Sequence, residues 1–499
     1  MYLEPGSALS LVARPDADVA RPSRGGRAAG AGILAALTLL VALGLAVPAL
    51  AMFGHVSVDY GEGWNAYWSQ VAGTRPLSLY PAAEGLVSNN YPPAFFLLVG
   101  QLSRAGGDAI VIGRTVSLLA LFATAVLAGA CVWRMSRSRA AAGAAALLVL
   151  GYAAFVFNQF LAVNNPQWLG QAVTLAALMP LVGAVPSRRS YVLAALGITC
   201  AMLVKHNMVA LPLAIAVRLA LTDRPACGRW LAGGALLCAL VLVASYAVWG
   251  TSAFVQIFLF DRGLTFHGGL DGLIDVATTV PVILVAALAA RRWRGSPGFA
   301  LLATYAGLAT AIGLVQRFGI GVSDNAQFEG LCAAIVLACA GAGRLLRQSR
   351  LSGAAPHFSR AVLVMALPVV VAAPATLAQR WREWQSRDQA EAAFQAVIAD
   401  VRGARGPVLC ENLALCFWAG QPMALDFFAY GQKLRAGRDP GHLGKLLAAR
   451  VPDRIVLDLG FPAGRDQARL PDDMVEAIRR GYRVQRVVPG RIAELVRRN

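Results

Sequence analysis

Charged side chains are scarce in this chain: only 14% of its 499 residues are Asp, Glu, Lys or Arg, whereas 57% are hydrophobic. The mean hydropathy is +0.57, and the hydrophobic runs recur at the length that crosses a bilayer. This composition excludes a soluble globular protein. The sequence therefore predicts a polytopic α-helical membrane protein.

Acidic residues are fewer than basic ones: the chain has 27 Asp and Glu and 45 Lys and Arg, which gives a formal net charge of +18. Such a charge can indicate nucleic-acid binding. Here, however, most arginines form short clusters beside hydrophobic segments, as the cytoplasmic loops of membrane proteins require. We therefore expect the bilayer as a partner and no nucleic acid.

Cysteine is sparse as well, and the spacing of its eight residues gives neither a disulfide framework nor a metal motif. Only Cys410 and Cys416 are placed to pair, and the sequence leaves open whether they do. The other six lie in or beside apolar segments, where a thiol behaves as a small hydrophobic group: Cys131, Cys200, Cys227, Cys238, Cys332 and Cys339.

Eleven hydrophobic segments are predicted to cross the membrane. With these segments as spans, every second connection is strongly basic, for example the one that carries Arg291, Arg292 and Arg294. Because basic loops stay in the cytoplasm, the amino terminus is predicted to be cytoplasmic and the carboxyl terminus extracytoplasmic, in a bacterial inner membrane. The predicted spans are 31–52, 109–132, 140–158, 167–185, 190–204, 207–221, 230–250, 273–290, 298–316, 327–343 and 361–378.

The topology divides the chain into regions. Residues 1–30 are polar and rich in Gly and Arg, and they are predicted to form a disordered cytoplasmic tail. Residues 31–379 form the transmembrane domain. Its long outer loop, residues 53–108, follows the first span and is the expected place of catalysis.

The composition changes again at about residue 380. Residues 381–402 are charged and have a helical pattern, and β-like runs follow at 406–410 and 454–458 between further helical patterns. We expect residues 380–499 to form a small extracytoplasmic α/β domain. This segment contains no G-x-G-x-x-G, P-loop or nucleophile elbow, so nothing in it predicts a nucleotide site.

The outer loop places two carboxylates directly after the first span. Asp59 and Glu62 follow that span by about ten residues, where they can stay solvated at the bilayer surface instead of being buried in hydrocarbon at a cost of several kcal/mol. Further along the loop, the apolar run from Pro92 to Leu102 is too short to cross the membrane. We expect it to form a short helix at the membrane surface.

Other polar residues fall at the outer ends of several predicted spans. Each has an ordinary explanation alone: Lys205 can extend its charge to the interface, and Asp324 with Gln327 fits a helix-capping box. Together they place acids and bases at one membrane level in different spans, which indicates a functional site. They include Asn164, Asn165, Lys205, His206, Asn207, Asp261, Arg262, His267, Arg317, Asp324, Asn325 and Glu329.

The order and sidedness of these motifs resemble the GT-C superfamily of integral-membrane glycosyltransferases, which includes protein O-mannosyltransferases and bacterial aminoarabinose transferases. The likeness covers most of the chain, although no single motif is specific. One departure is that many members carry adjacent Asp-Glu, whereas here Asp59 and Glu62 are three positions apart. The segments that carry the likeness are 59–63, 73–77, 90–93, 113–118, 203–207 and 324–329.

The resemblance implies an inverting transferase that moves a sugar from a polyprenyl-phosphate-linked donor to a lipid, glycan or protein acceptor on the outer face. A carboxylate general base is implied, and either Asp59 or Glu62 matches it. Lys205 matches a basic position of the family, and we expect it to bind the donor phosphate with His206 or Arg317 assisting. The expected substrate groove contains Tyr60, Tyr91, Pro92, Pro93, Asn165, Asn325 and Glu329.

Two other classes stay open from the sequence. A transporter or flippase for lipid-linked or small polar substrates also carries intramembrane polar residues, although such proteins usually show internal repeats, and none is evident here. An inactive scaffold is the other. A divalent metal is a further open question: Asp59 and Glu62 with His55 or His267 would offer ligands, but no spacing demands a metal.

The predicted topology can be tested at the carboxyl terminus. A reporter that is active only in the cytoplasm, fused after Asn499, is expected to be silent, because the basic clusters alternate sides only if there are eleven spans. The same reporter fused within a basic loop, after Arg294, is the positive control. Activity of the fusion after Asn499 would contradict the topology.

Overall fold

The computed structural model of this chain describes residues 24–82, 85–348, 355–438, 443–459, 472–489 and 492–498. Most of the predicted cytoplasmic tail, residues 1–23, lies outside these ranges. The first helix, α1, covers Arg24–Ala51 and thus begins inside the region predicted to be a tail. The alanines at positions 28, 29 and 31 favour a helix upstream of the predicted span, because alanine continues a helix at the lowest cost.

All eleven segments predicted to span the membrane contain a helix. After α1, the outer loop forms α2 (Gly61–Thr74) and α3 (Ala94–Arg104). The helices that follow are α4 (Ala109–Ser136), α5 (Arg139–Gly151), α6 (Gln167–Leu178), α7 (Arg188–Val204), α8 (Ala210–Thr222), α9 (Arg224–Phe258), α10 (Phe266–Arg292), α11 (Pro297–Arg317), α12 (Phe328–Gln348) and α13 (Ala355–Gln385).

Within the described residues, eight helices are long and apolar enough to cross a membrane: α1, α4, α5 together with the π-helical turn Tyr152–Val156 that continues it, α9, α10, α11, α12 and α13. The chain is therefore a multi-pass membrane protein. The predicted spans at 167–185, 190–204 and 207–221 form the shorter helices α6, α7 and α8. The count of eleven spans accordingly stays a prediction.

The centre of the helical bundle is α12, which is buried along almost its whole length. Small residues let the neighbouring helices approach it closely. A Cβ atom at Gly341 would lie 2.4 Å from Cβ of Ala289 in α10, and one at Gly343 would lie 2.7 Å from Cβ of Ala141 in α5. Near the other end of α12, a Cβ atom at Gly330 would lie 2.6 Å from Oγ1 of Thr310 in α11, and the residues that precede this end border the cavity described below.

The outer loop is folded rather than irregular. Helix α3 confirms the short helix expected after Pro92, although it begins two residues later, at Ala94. It packs against α2 where a Cβ atom at Gly100 would lie only 2.2 Å from the backbone oxygen of Ser69. Helix α2 in turn packs against the last part of the chain.

The C-terminal part forms the predicted small α/β domain. Its helices are α14 (Arg387–Arg402), α15 (Leu413–Trp418), α16 (Phe427–Arg435), α17 (Leu443–Ala448) and α18 (Asp472–Gly481), and its strands are β1 (Val408–Cys410), β2 (Arg454–Asp458), β3 (Tyr482–Val488) and β4 (Ile492–Arg497). The sheet order is β1-β2-β4-β3, with β1 and β2 parallel and the other pairs antiparallel. Strands β1 and β2 match the two predicted runs.

The C-terminal domain is packed onto the outer loop through α15. A disulfide joins Cys410 at the end of β1 to Cys416 in α15. At the contact, a Cβ atom at Gly63 of α2 would lie only 2.0 Å from the backbone nitrogen of Ala414, so only glycine permits this approach. The indole Nε1 of Trp418 donates to Asp108 at 2.7 Å, beside the start of α4.

Candidate active site

A cavity of about 830 Å³ lies where the outer loop, the α7–α8 and α9–α10 loops, the α11–α12 connection and the start of α16 meet. Its wall carries charges of both signs and many aromatic rings. The acids are Asp59, Asp271 and Asp426; the basic side chains are Lys205, His206, Arg262 and Arg317; the aromatic residues are Tyr60, Trp64, Tyr91, Phe160, Phe258, Phe260 and Phe428.

Asp59 and Glu62, which the sequence could not separate, have different surroundings. Asp59 is half-buried and lines the cavity. Its Oδ1 accepts a hydrogen bond from the backbone N–H of Gly61 at 2.7 Å, at the start of α2. Glu62 points the other way, is fully buried, and does not line the cavity.

Glu62 forms a buried ion pair with Arg114 of α4. The guanidinium Nε and Nη2 of Arg114 donate to the two carboxylate oxygens at 2.7 and 2.6 Å, which is the bidentate geometry of a strong pair. Glu62 also accepts the backbone N–H groups of Val58 at 3.0 Å and Asn164 at 3.1 Å. These four donors surround the carboxylate. It therefore has a structural role and does not contact the cavity.

The same arginine holds the end of the first span. Arg114 is fully buried and also donates to the backbone oxygens of Met52, Gly54 and Val56 at 3.1, 2.9 and 2.8 Å. The segment from Met52 to Glu62 is therefore tied to α4 at both of its ends. Asp59 lies inside this segment and is positioned by it.

Lys205 and His206 occupy the α7–α8 loop. Lys205 is 6% exposed, and its Nζ donates to Gln167 of α6 and lies 5.9 Å from the centre of the Tyr91 ring. Burial, and then the charge of Arg262, lower the pKa of Lys205 to about 7, so a bound anion would favour its charged form. The pKa of His206 is lowered to about 4, first by burial and then by the neighbouring charges of Lys205 and Arg262. His206 is therefore neutral at pH 7 and can offer a hydrogen bond but no charge.

Two arginines complete the basic side of the cavity. Arg317 forms an ion pair with Asp275 of α10, with Nε 2.8 Å from Oδ2, and donates to the backbone oxygen of Val322, so much of its charge is already balanced. Arg262, in the α9–α10 loop, is exposed and stacks over Phe260 and Phe428 at 5.8 and 5.9 Å. The sequence placed Arg262 on the outer side but gave it no role.

Tyr91 lies between the acidic and basic side chains. Burial raises the pKa of its hydroxyl, the nearby charge of Arg262 lowers that pKa, and the charge of Asp59 raises it again. Asp59 and Arg262 are thus both close enough to affect the hydroxyl of Tyr91, which lines the cavity.

The residues expected to form the substrate groove separate into two groups. Tyr60, Tyr91, Asn165 and Asn325 line the cavity. Pro92 and Pro93 are buried beneath α3. Glu329 is also buried and borders a much smaller space of about 10 Å³ next to the cavity. The expected assignment is therefore supported for the first group by position only.

Trp64, Asp426 and Phe428 line the cavity but were not expected to do so. Trp64 follows Tyr60 by four positions, a spacing that places both on one face of a helix, so a helical reading of the loop would have found it. Asp426 and Phe428 come from the C-terminal domain, and no local pattern in the sequence connects them with a site more than 300 residues earlier.

Within the residues that the structure describes, no group of three or more His, Cys, Asp or Glu side chains is arranged to hold a metal ion. The two histidines considered as ligands have other neighbours. His55 Nδ1 lies 3.1 Å from Glu391 of α14, and His267 Nε2 lies 4.0 Å from Asp271. Neither is brought into one ligand set with Asp59 and Glu62.

Known structures share this architecture. The chain is similar to ArnT from Cupriavidus metallidurans in the apo state, at 16% identity and a TM-score of 0.60, over 93% of this chain and 98% of that one. The same transferase bound to undecaprenyl phosphate gives 16% identity and a TM-score of 0.59, over 92% and 97%. AglB, an oligosaccharyltransferase of Archaeoglobus fulgidus in complex with an inhibitory peptide and a dolichol-phosphate, gives 12% and 0.53, over 94% and 74%.

This chain has the GT-C fold. The resemblance noted in the sequence is thereby confirmed at the level of the fold, and the coverage shows that the GT-C fold includes the C-terminal domain as well as the helical bundle. No protein-family model matches the chain, and no curated protein sequence matches it.

The buried ion pair predicts different effects for two amide substitutions in this chain. Glu62→Gln leaves the Arg114 charge buried without its partner, and we expect a loss of about 3–5 kcal/mol in stability. Asp59→Asn, at a half-buried position, is expected to change stability by about 0.5 kcal/mol or less. Thermal unfolding of the detergent-purified variants measures both. A Glu62→Gln protein as stable as the wild type would show that the ion pair does not hold the loop.

Proposed function

We propose that this chain is a membrane glycosyltransferase that moves a sugar from a polyprenyl-phosphate-linked donor to an acceptor hydroxyl on the extracytoplasmic face, with inversion at the anomeric carbon. One observation carries the proposal. A single cavity at the end of the helical bundle combines a half-buried carboxylate, Asp59, with Lys205 and Arg262. Acid and cations in one confined space are what glycosyl transfer from a phosphate requires.

The cations provide a place for the donor phosphate. When the glycosidic bond breaks, its electron pair moves to the phosphate oxygen, and Lys205 and Arg262 offset the charge that develops there. Their effect is larger in a confined space than in water, because the surrounding dielectric is lower. The structures of ArnT with undecaprenyl phosphate and of AglB with dolichol-phosphate support a polyprenyl phosphate as the carrier.

The rim of the cavity suits a lipid tail. Phe258 at the end of α9, Leu264 in the α9–α10 loop and Val315 in α11 line the cavity and are 54%, 80% and 71% exposed. Apolar side chains exposed at this level face lipid rather than protein. A carrier can therefore keep its polyprenyl chain in the bilayer while its phosphate reaches Lys205.

Asp59 is the proposed general base. Its carboxylate accepts the proton of the acceptor hydroxyl as that oxygen attacks the anomeric carbon from the face opposite the phosphate, which then leaves with the bonding electron pair. Glu62 is assigned a positioning role, because Arg114 and two backbone N–H groups occupy its carboxylate. Tyr60, Tyr91, Asn165 and Asn325 shape the space in which donor and acceptor meet.

The Cys410–Cys416 disulfide supports an extracytoplasmic position for the C-terminal domain, because disulfides persist in oxidising compartments and not in the bacterial cytoplasm. The basic clusters in alternate connections support the same orientation. The cavity borders this domain, so both partners of the reaction would meet outside the cytoplasm.

The base is tested by Asp59→Asn, which keeps size and hydrogen bonding but removes basicity. Turnover with a polyprenyl-phosphate-linked sugar is expected to fall by about 10²-fold or more, with folding intact. Release of bare polyprenyl phosphate by the purified protein in liposomes gives the rate. Asp271→Asn, which removes a negative charge from the cavity at a residue outside the proposed chemistry, is the control. Wild-type turnover in Asp59→Asn would exclude Asp59 as the base.

The phosphate site is tested by Lys205→Met, which keeps much of the side-chain stem but removes the charge. The KM for the donor is expected to rise by about ten-fold or more, because a charge-assisted contact is worth about 1.5–3 kcal/mol. Lys445→Met, at an exposed lysine of the C-terminal domain, is the control. Unchanged KM and turnover in Lys205→Met would reduce Lys205 to a structural anchor held by Gln167.

A further inference from the structure

One wall of the cavity comes from the C-terminal domain, where Asp426 precedes helix α16. Asp426 is only 4% exposed, yet it lines the cavity. Its Oδ2 accepts the indole N–H of Trp64 at 3.0 Å, and its Oδ1 accepts the backbone N–H of Ala429 at 3.0 Å. Because an ionised carboxylate offers about four acceptor positions, a ligand can bind beside these donors.

The neighbours of Asp426 are suited to a sugar. The Trp64 ring meets the Tyr91 ring edge to face, with centroids 5.3 Å apart, and Ser88 and Asn90 line the same part of the cavity. Aromatic walls with a few fixed polar groups bind a ligand through its apolar faces and orient it through its hydroxyl or amino groups. A buried carboxylate beside a tryptophan matches the hydroxyl and amino groups of a sugar ring better than it matches a lipid tail or a phosphate.

The position of this wall relative to the cations indicates which group it receives. Lys205 Nζ lies 5.9 Å from the centre of the Tyr91 ring, Tyr91 contacts Trp64, and Trp64 donates to Asp426. The contacts therefore run from the proposed phosphate site to Asp426 through one pair of rings. In a polyprenyl-phosphate donor the sugar is bonded directly to the phosphate, so the sugar is the group that lies next to it.

Helix α16 also contacts the α9–α10 loop, which carries Arg262 of the proposed phosphate site. Phe428 stacks with Phe260 of the α9–α10 loop, with ring centroids 6.3 Å apart, and Gln432 accepts the backbone N–H of Gly263 at 2.9 Å. Arg262 lies between these contacts, over the ring of Phe428. One short helix of the C-terminal domain thus holds a carboxylate at one side of the cavity and a cation-bearing loop at the other.

We infer that Asp426 and Trp64 form the subsite for the transferred sugar, in which the Asp426 carboxylate accepts a hydrogen bond from a hydroxyl or amino group of the sugar ring. The C-terminal domain thereby determines which sugar the accepted carrier bears. This inference rests on the proposed function, because it assumes a donor with a sugar on a polyprenyl phosphate. It assigns Asp426 to recognition and Asp59 to proton transfer.

The test compares binding of a carrier with and without its sugar. Undecaprenyl phosphate, its mannosyl form and its aminoarabinosyl form are titrated against the full chain and against Asp426→Asn. In Asp426→Asn, one hydrogen bond to a carboxylate is lost. The affinity for the sugar-bearing carrier that the wild type prefers is therefore expected to fall by about ten- to a hundred-fold. Binding of bare undecaprenyl phosphate is expected to stay unchanged, which also shows that the variant is folded.

The chain offers a matched control in Asp108. It also caps a helix, through the N–H of Ile110 at 2.7 Å, and it also accepts an indole N–H, that of Trp418 at 2.7 Å, but it does not line the cavity. Asp108→Asn is expected to leave both affinities unchanged. Asp426→Ser serves if Asp426→Asn does not fold, because serine is a good helix cap without a charge.

Several results would overturn the subsite. In Asp426→Asn, these results are an equal loss of affinity for the bare and the sugar-bearing carrier, no loss of affinity for either, or an effect confined to the KM of the acceptor. In the wild type, it is an affinity for every sugar-bearing form that is no higher than the affinity for the bare carrier. If the wild-type chain bound none of the three lipids, the proposed function would fail and the subsite with it. That result differs from a failure of the subsite alone, in which the wild type still binds the bare carrier.

Discussion

The structure of the site depends on one buried ion pair. Arg114 is inserted from α4 beneath the outer loop and satisfies the Glu62 carboxylate together with three backbone oxygens at the end of the first span. Removing two charges from water is costly, and only full pairing and further hydrogen bonds compensate for it. Such an arrangement fixes conformation more than it adds stability. Here it fixes the segment from Met52 to Glu62, which places Asp59 at the cavity.

The C-terminal domain extends the same principle to the other side of the site. Its helix α15 lies directly on α2 at Gly63, and its helix α16 supplies Asp426 and Phe428 to the wall. The domain is therefore a part of the cavity and not an appendage to a finished membrane enzyme.

The sequence predicted the features that depend on local composition. Apolar runs gave all eleven helices of the bundle, and the short run after Pro92 gave α3. Strands β3 and β4 were missed. In β3 the alternation of apolar and polar residues breaks where Arg486 follows Gln485, at the point where the register shifts, and the residues of β4 do not alternate. The roles of Asp59 and Glu62 could not be separated either: the deciding partner, Arg114, lies 52 residues beyond Glu62 and only the fold brings it near. Asp426 was missed for the same reason.

We propose that this protein transfers a sugar from a polyprenyl-phosphate carrier to an acceptor of the cell envelope. The most direct measurement is mass spectrometry of envelope lipids, glycans and proteins from cells that carry the wild-type gene, no gene, or the gene with Asp59→Asn. The account predicts that one sugar disappears from its acceptor in the last two strains and that the sugar-charged carrier accumulates. An unchanged set of glycans together with an unchanged level of charged carrier would contradict it.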